Sequence, residues 1–166
     1  MGTVYRMKKI ETNEYKVGDK IAVGKYTATC QNVTDEGILF LMDTYDDEPR
    51  PRTGLIEYLN SDEGLEFFPK DIRDALHPGS VRVPYAGELF EKDEIDFLED
   101  DGKEQWTLMQ DRRNVLAMRK NEPEWGWLMN KSKNSAAFFG VVGSAGNASY
   151  ASASNAGGVR RAFLIE

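Results

Sequence analysis

Apolar and polar positions alternate most clearly towards the two ends of the chain. KIAVGKYTATCQNV (residues 20–33) mixes β-branched and aromatic residues with polar ones, and residues 38–42 form a second apolar run. The turn signal Thr34-Asp35-Glu36-Gly37 lies between them, so the pair predicts a β-hairpin. Residues 43–52 are acidic and hold two prolines, which is a loop pattern. Thr53 is placed to cap a helix opening at Gly54, with Leu55, Ile56 and Leu59 near helical spacing. A second short helix is predicted from Pro69 through Asp71, Ile72 and Leu76, stopped by His77-Pro78-Gly79. Residues 81–83 predict a brief strand, and Pro84 opens a short helix running through Leu89-Phe90. Residues 91–104 are an acidic surface loop or insertion. Residues 106–119 predict one more helix, with Leu108, Met109, Val115 and Leu116 as its core face.

After Pro123 the pattern changes. Trp125-Gly126-Trp127-Leu128 alternates like a strand, with at least one of the two tryptophans expected in the core. Residues 136–142, 147–152 and 159–165 read as three further strands, joined by Gly-Ser-Ala-Gly and Asn-Ala-Gly-Gly turns. The order is a hairpin, then helices, then consecutive short strands. That predicts an α+β fold with a C-terminal antiparallel sheet and a terminal strand returning beside the first. Residues 1–16 are weakly patterned and predict a loose N-terminal arm or an added edge strand, leaving residues 17–166 as a single domain.

Composition narrows the function classes. The chain has 166 residues, 40% of them hydrophobic and 30% charged, with a mean hydropathy of -0.55. That is a globular composition with room for one core. A net charge of -7 argues against general nucleic-acid binding, which needs a basic face. Cys30 is the single cysteine, so no intrachain disulfide forms. No apolar run approaches the length of a membrane span, and the N-terminus lacks the apolar core of a signal peptide. The expected location is the cytoplasm or a virion.

Catalytic vocabulary is sparse. With one histidine, His77, and one cysteine, neither a Cys/His zinc site nor a Ser-His-Asp triad nor a Cys-His dyad assembles in the usual way. Both glycine-rich phosphate-loop patterns are absent. In the acidic run DEIDFLEDDGKE (residues 93–104), aligning Gly102 with the glycine of an EF-hand loop puts Phe97 where the first aspartate belongs. A solvated acidic loop is the simpler reading. The expectation is a protein without catalytic residues, metal ligands or cofactor.

The segment Val17-Gly18-Asp19-Lys20-Ile21-Ala22-Val23-Gly24-Lys25-Tyr26, followed by Gly37-Ile38-Leu39-Phe40-Leu41, resembles the opening hairpin of a domain family common in Firmicute genomes and their prophages. LMQDRRNVLAMRKNEPEWGWLMN (residues 108–130), the Ser135-Ala136-Ala137 start and the ending Gly158-Val159-Arg160-Arg161-Ala162-Phe163-Leu164-Ile165 are similar to the same family. Arg161 stands where the family's Gly-Val-Arg-Pro-Ala pattern has proline. The resemblance implies a C-type-lectin-like fold, akin to formylglycine-generating enzyme and to the variable proteins of diversity-generating retroelements. In such a fold two helices and an N–C-terminal strand pair support a smaller sheet that displays ligand contacts. The enzyme branch needs a cysteine pair on copper, which one cysteine does not supply. Asn121-Glu122-Pro123 is not the Glu-Pro-Asn loop of the calcium lectins, and no Trp-Asn-Asp follows.

That resemblance draws attention to NSAAFFGVVGSAGNASYASASNAGGVRRAF (residues 134–163). Retroelement diversification of AAC or AAT codons yields fifteen residue types but never Lys, Glu, Gln, Met or Trp, and from Asn134 through Ile165 none of these five occurs. Three readings follow: a diversified ligand surface, which leads, a sheet packed closely through small residues, and a disordered tail. Tyr, Ser, Gly and Asn are also the residues of antibody binding loops. On the family pattern Ala137, Phe139, Val142 and Gly146 are scaffold positions. Phe138, Gly140, Ser144, Asn147, Ser149, Tyr150, Ser152 and Asn155 face outward as the ligand-binding set. The expected partner is a protein or glycan, homo-oligomerisation is left open, and no nucleic acid or membrane span is expected. The alternative function is a structural or assembly component of a phage particle or mobile element.

Overall fold

The computed structural model describes residues 15–166, so most of the expected N-terminal arm lies outside the described residues. In chain order the strands are β1 (Lys20–Val23), β2 (Tyr26–Thr34), β3 (Gly37–Met42), β4 (Ala117–Arg119), β5 (Glu122–Glu124), β6 (Gly126–Lys131), β7 (Phe138–Val142), β8 (Ala148–Ser152) and β9 (Ala162–Ile165). Four short helices lie between β3 and β4: α1 (Leu55–Leu59), α2 (Asp62–Leu65), α3 (Lys70–Ala75) and α4 (Ala86–Leu89). The protein is therefore α+β, with short helices and antiparallel sheets. The described residues fall into two compact units.

The first unit comprises residues 15–43, Ile56–Arg82 and Arg161–Glu166. Its sheet has the order β1-β2-β3-β9, all antiparallel. The apolar run expected as one strand over residues 20–33 is folded back at Gly24-Lys25, pairing Val23 with Tyr26. That extra turn puts β1 on the outer side of β2. The terminal strand consequently lies beside β3, with Phe40 opposite Phe163, and not beside the first strand. Phe40 stacks on Phe163 at 5.7 Å between ring centroids, and Phe68 meets Phe163 edge-on at 4.9 Å. These rings, with Ile38, Leu41, Leu59 and Ile72, are the buried core of this unit.

Helix boundaries follow local chemistry. Gly54 sits at φ +71°, outside helical geometry, so α1 begins at Leu55, and the Thr53 hydroxyl donates to the Ala153 carbonyl instead of capping. Ser61 caps α2, its oxygen accepting from the Gly64 amide at 3.1 Å, a short helix that apolar periodicity does not announce. Pro69 precedes α3 as its N-cap. The expected helix over residues 106–119 is absent. Two single 3-10 turns, Thr107–Gln110 and Arg112–Asn114, are followed by β4. The Asp111 carboxylate accepts from the Arg113 amide at 3.1 Å and starts a new turn where a helix would have continued. Residues 81–83 make only an isolated bridge, Arg82 to Ala162.

Asp43, at the end of the first sheet, carries a testable electrostatic contribution. Its carboxylate accepts from Lys20 Nζ (2.8 Å), Thr27 Oγ1 (2.5 Å) and Thr29 Oγ1 (2.6 Å). Burial pushes its pKa up, but those three hydrogen bonds and the lysine charge outweigh burial and hold it below the ordinary value. A carboxyl depressed in the folded state stabilises the fold above its unfolded pKa of about 3.9, and loses that contribution as pH falls through the folded value. Asp43→Asn is expected to cost about 1–2 kcal/mol at pH 7. In urea titrations at a series of pH values, the gap to the parent chain should close below about pH 4. A gap independent of pH would remove the carboxylate from the account.

Candidate functional site

The second unit comprises Thr44–Leu55 and Val83–Arg160 and holds the small-residue C-terminal segment up to Arg160. Its main sheet is the antiparallel meander β6-β7-β8. Register fixes the faces: Phe138 lies opposite Ser152, Gly140 opposite Tyr150, and Val142 opposite Ala148. These six residues share one face, and Phe139, Val141, Ser149 and Ala151 share the other.

The first face carries an aromatic cluster. Tyr150 is 52% exposed and stacks on Phe138 at 5.5 Å with planes 28° apart. Phe97, from the acidic segment, approaches Tyr150 at 5.9 Å. The neighbouring Leu98 is 2% exposed and covers Gly140, where an added Cβ would stand 2.6 Å from Leu98 Cδ1. Gly140 is therefore a buried close-approach glycine and not an outward-facing contact. On the second face the Arg52 guanidinium lies 4.3 Å from the Phe139 ring centroid and its Nε donates to the Leu128 carbonyl.

The eight residues expected to face outward consequently separate. Ser144, Asn147, Tyr150 and Asn155 are exposed, Phe138, Ser149 and Ser152 are half-buried, and Gly140 is buried. Ser149 lies on the opposite face from Tyr150, so the set is not one continuous surface. Among the positions expected as scaffold, Val142 and Gly146 are buried and Phe139 is half-buried, but Ala137 is exposed. Ser144 and Asn147 belong to the β7–β8 turn, which the Gly143 amide closes by donating to the Asn147 carbonyl at 2.7 Å.

The small residues just before β9 do a different job. Trp127 is 1% exposed and meets Trp125 edge-on at 5.1 Å, and its Nε1 donates to the Arg50 carbonyl at 2.8 Å. Gly157 pairs with Arg50 through two backbone hydrogen bonds, and its Cα lies under both indoles. Gly126 and Gly158 lie against the buried Tyr45, whose phenol is pushed up to about 12 by burial. Arg160, 7% exposed, donates to the Asn114 and Val115 carbonyls. Packing thus explains the residues from Gly157 onward.

The acidic stretch is pinned rather than freely solvated. Asp101 Oδ2 accepts from the Gly87 amide and from Asn130 Nδ2, both at 2.8 Å. Asn130 Nδ2 also donates to the Glu99 carbonyl, and its Oδ1 accepts from the Ala86 amide. This brings Phe97 and Leu98 onto the sheet. Sequence reasoning missed Phe97 as a site residue. The signal was available in the run itself, because a Phe-Leu pair inside a charged stretch needs an apolar surface to rest on.

Among the described residues, no three His, Cys, Asp or Glu side chains converge as a metal site requires, and no helix is long and apolar enough to cross a membrane. Cys30 is a buried free thiol, pushed up in pKa by that burial. No protein-family model, no curated protein and no solved structure matches this chain.

Proposed function

We propose that the protein is a non-enzymatic, ligand-binding protein with a C-type-lectin-like fold, whose C-terminal sheet displays a recognition surface diversified by a retroelement. One observation carries the reading. Between Asn134 and Ala156 ten residues are exposed (Asn134, Ala136, Ala137, Ser144, Ala145, Asn147, Tyr150, Ser154, Asn155 and Ala156), and none is Lys, Glu, Gln, Met or Trp. Tight packing excludes Lys and Glu only where side chains are buried. At solvated positions nothing in the fold forbids them, and Lys and Glu are ordinarily surface residues. Packing accounts for Gly157 and Gly158 but leaves these ten positions unexplained.

The aromatic cluster supplies the contact chemistry. A half-exposed Tyr150 backed by Phe97 and Phe138 offers a broad, rigid ring face, and nearby Ser and Asn side chains offer adaptable hydrogen bonds. Recognition would proceed by shape and hydrogen-bond complementarity with a protein or glycan. A hairpin sheet closed by the terminal strand, helices following it and a separate three-stranded sheet also agree in order with the resemblance in sequence.

The second reading is a structural component of a phage particle or mobile element. It draws on the four exposed alanines in the same set, which let a flat subunit surface approach closely. Tyr150→Ala combined with Phe138→Ala is expected to cost about 2 kcal/mol in urea unfolding, the worth of stacking between partly exposed rings. A loss near the 6–10 kcal/mol of two core aromatics would mark them as interior and remove the binding reading.

A further inference from the structure

Beside the β7–β8 turn lies a polar cleft of about 210 Å³, lined by Glu91, Glu94, Gln105, Met109, Gln110 and Arg112. Its size restricts the occupant. Small-molecule and cofactor pockets run to about 300–1,000 Å³, and at roughly 30 Å³ per water this cleft holds about seven. That suits one side chain and not a cofactor.

Its chemistry restricts the occupant further. Arg112 is committed: its two terminal nitrogens grip Glu94 at 2.8 Å each, one of them also donates to the Gly146 carbonyl at 3.1 Å, and the guanidinium lies 5.4 Å from the Phe90 centroid. Glu94 is thereby neutralised within the cleft wall. The Glu91 carboxylate remains as a second negative charge, with no other cation lining the cleft. Gln105 Nε2 spends its donors on the Leu89 and Met109 carbonyls, at 3.0 and 3.2 Å, leaving the amide oxygen as acceptor. Met109, 2% exposed, provides an apolar wall. The cleft therefore offers acceptors, one uncompensated negative charge and a thioether.

We propose that this cleft is a socket for one lysine side chain of a protein partner lying on the β7–β8 turn, an inference that rests on the binding function proposed above. The ammonium meets Glu91 and the glutamine amide oxygens, and the methylene stem lies along Met109. The bond from Arg112 to the Gly146 carbonyl ties the socket to the turn that carries the exposed Ser144, Ala145 and Asn147. Around it, Asp93, Asp96, Glu99, Asp100 and Glu104 are exposed, with Lys92 and Lys103 as the only cations of residues 91–104. Their summed field favours approach of a basic partner.

The test is a titration of the full chain with Nα-acetyl-L-lysine methylamide, read by backbone amide chemical shifts, beside the uncharged norleucine analogue. Saturable shifts confined to Glu91, Gln105, Gln110, Arg112 and their neighbours are expected with the lysine probe alone, weakening as salt rises. Glu91→Gln should weaken binding about tenfold or more, and because Glu91 is exposed the variant should keep the parent's melting temperature. Tyr150→Ala should leave the lysine titration unchanged. Absence of saturable shifts, equal binding of norleucine, or full affinity in Glu91→Gln would each overturn the socket. Those outcomes are read at the cleft, whereas the unfolding of the Tyr150/Phe138 variant judges the display surface, so either can fail alone.

Discussion

Gly157→Ala is expected to destabilise the protein by about 3 kcal/mol, as an overpacking substitution with little room to relax. A Cβ there would stand 2.5 Å from Trp125 Cζ3, 2.6 Å from Trp125 Cη2 and 2.7 Å from Trp127 Nε1. Trp125 is half-buried and has some freedom to shift. Trp127 is fully buried and held by its bond to the Arg50 carbonyl, and Gly157 is itself paired to Arg50 through both backbone groups. Moving the Trp127 indole breaks its bond to Arg50, and moving the Trp125 indole disturbs its edge-on contact with Trp127. Ser154→Ala, three residues earlier at an exposed position, should change stability by less than about 0.5 kcal/mol. Denaturant unfolding of the two variants separates packed from exposed positions within one low-complexity segment. Equal, small effects at both positions would mean that the glycines are not clamped beneath the indoles.

The second large effect is expected at Arg161. Its side chain is 2% exposed, its guanidinium lies 4.0 Å from the Phe67 centroid, and one terminal nitrogen donates to the Gly64 carbonyl at 2.9 Å. Arg161→Ala removes a cation–π contact, leaves the α2 carbonyl without that donor and opens a cavity beside two phenylalanines. The expected loss is about 3–4 kcal/mol in urea unfolding. Arg161→Lys should recover less than half, because an ammonium cannot lie flat on Phe67 and reach the carbonyl with the same geometry. Full recovery by lysine would show that charge alone matters there.

These positions also show what the sequence discloses and what it withholds. Strands with strong local signals were legible: β2 and β3 about their Thr34–Gly37 turn, the meander β6-β7-β8, and the apolar terminal strand. Alternation along β7 and β8 puts Phe138, Tyr150 and Ser152 on one face and Ser149, expected beside them on the family pattern, on the other. What alternation cannot supply is the cover on that face. Leu98 hides Gly140 through a contact distant in sequence, and it gets there because Asn130 and Asp101 pin the acidic run. The same limit applies to residues 106–119, where apolar residues at helical spacing fold as 3-10 turns because Asp111 offers its own side chain to the backbone. The free edge of the first sheet was misjudged because Gly24-Lys25 inserts a turn into what reads as one continuous strand. Long-range docking and single capping side chains decided each case, and neither leaves a periodic trace.

Burial alone does not account for the absence of Lys and Glu from Asn134 through Ile165. Burial excludes them from Gly157 through Ile165, and burial does not exclude them from the ten exposed positions before it. The most direct test of diversification at those positions is the DNA beside the gene. A near-identical template repeat next to a reverse-transcriptase gene is predicted. Its mismatches should fall at adenine positions in codons for exposed residues such as Ser144, Asn147, Tyr150 and Asn155, while the codons for Gly157, Gly158, Arg160 and Arg161 match. No repeat, or mismatches spread equally over the buried glycine and arginine codons, would contradict the account and return the segment to structural packing.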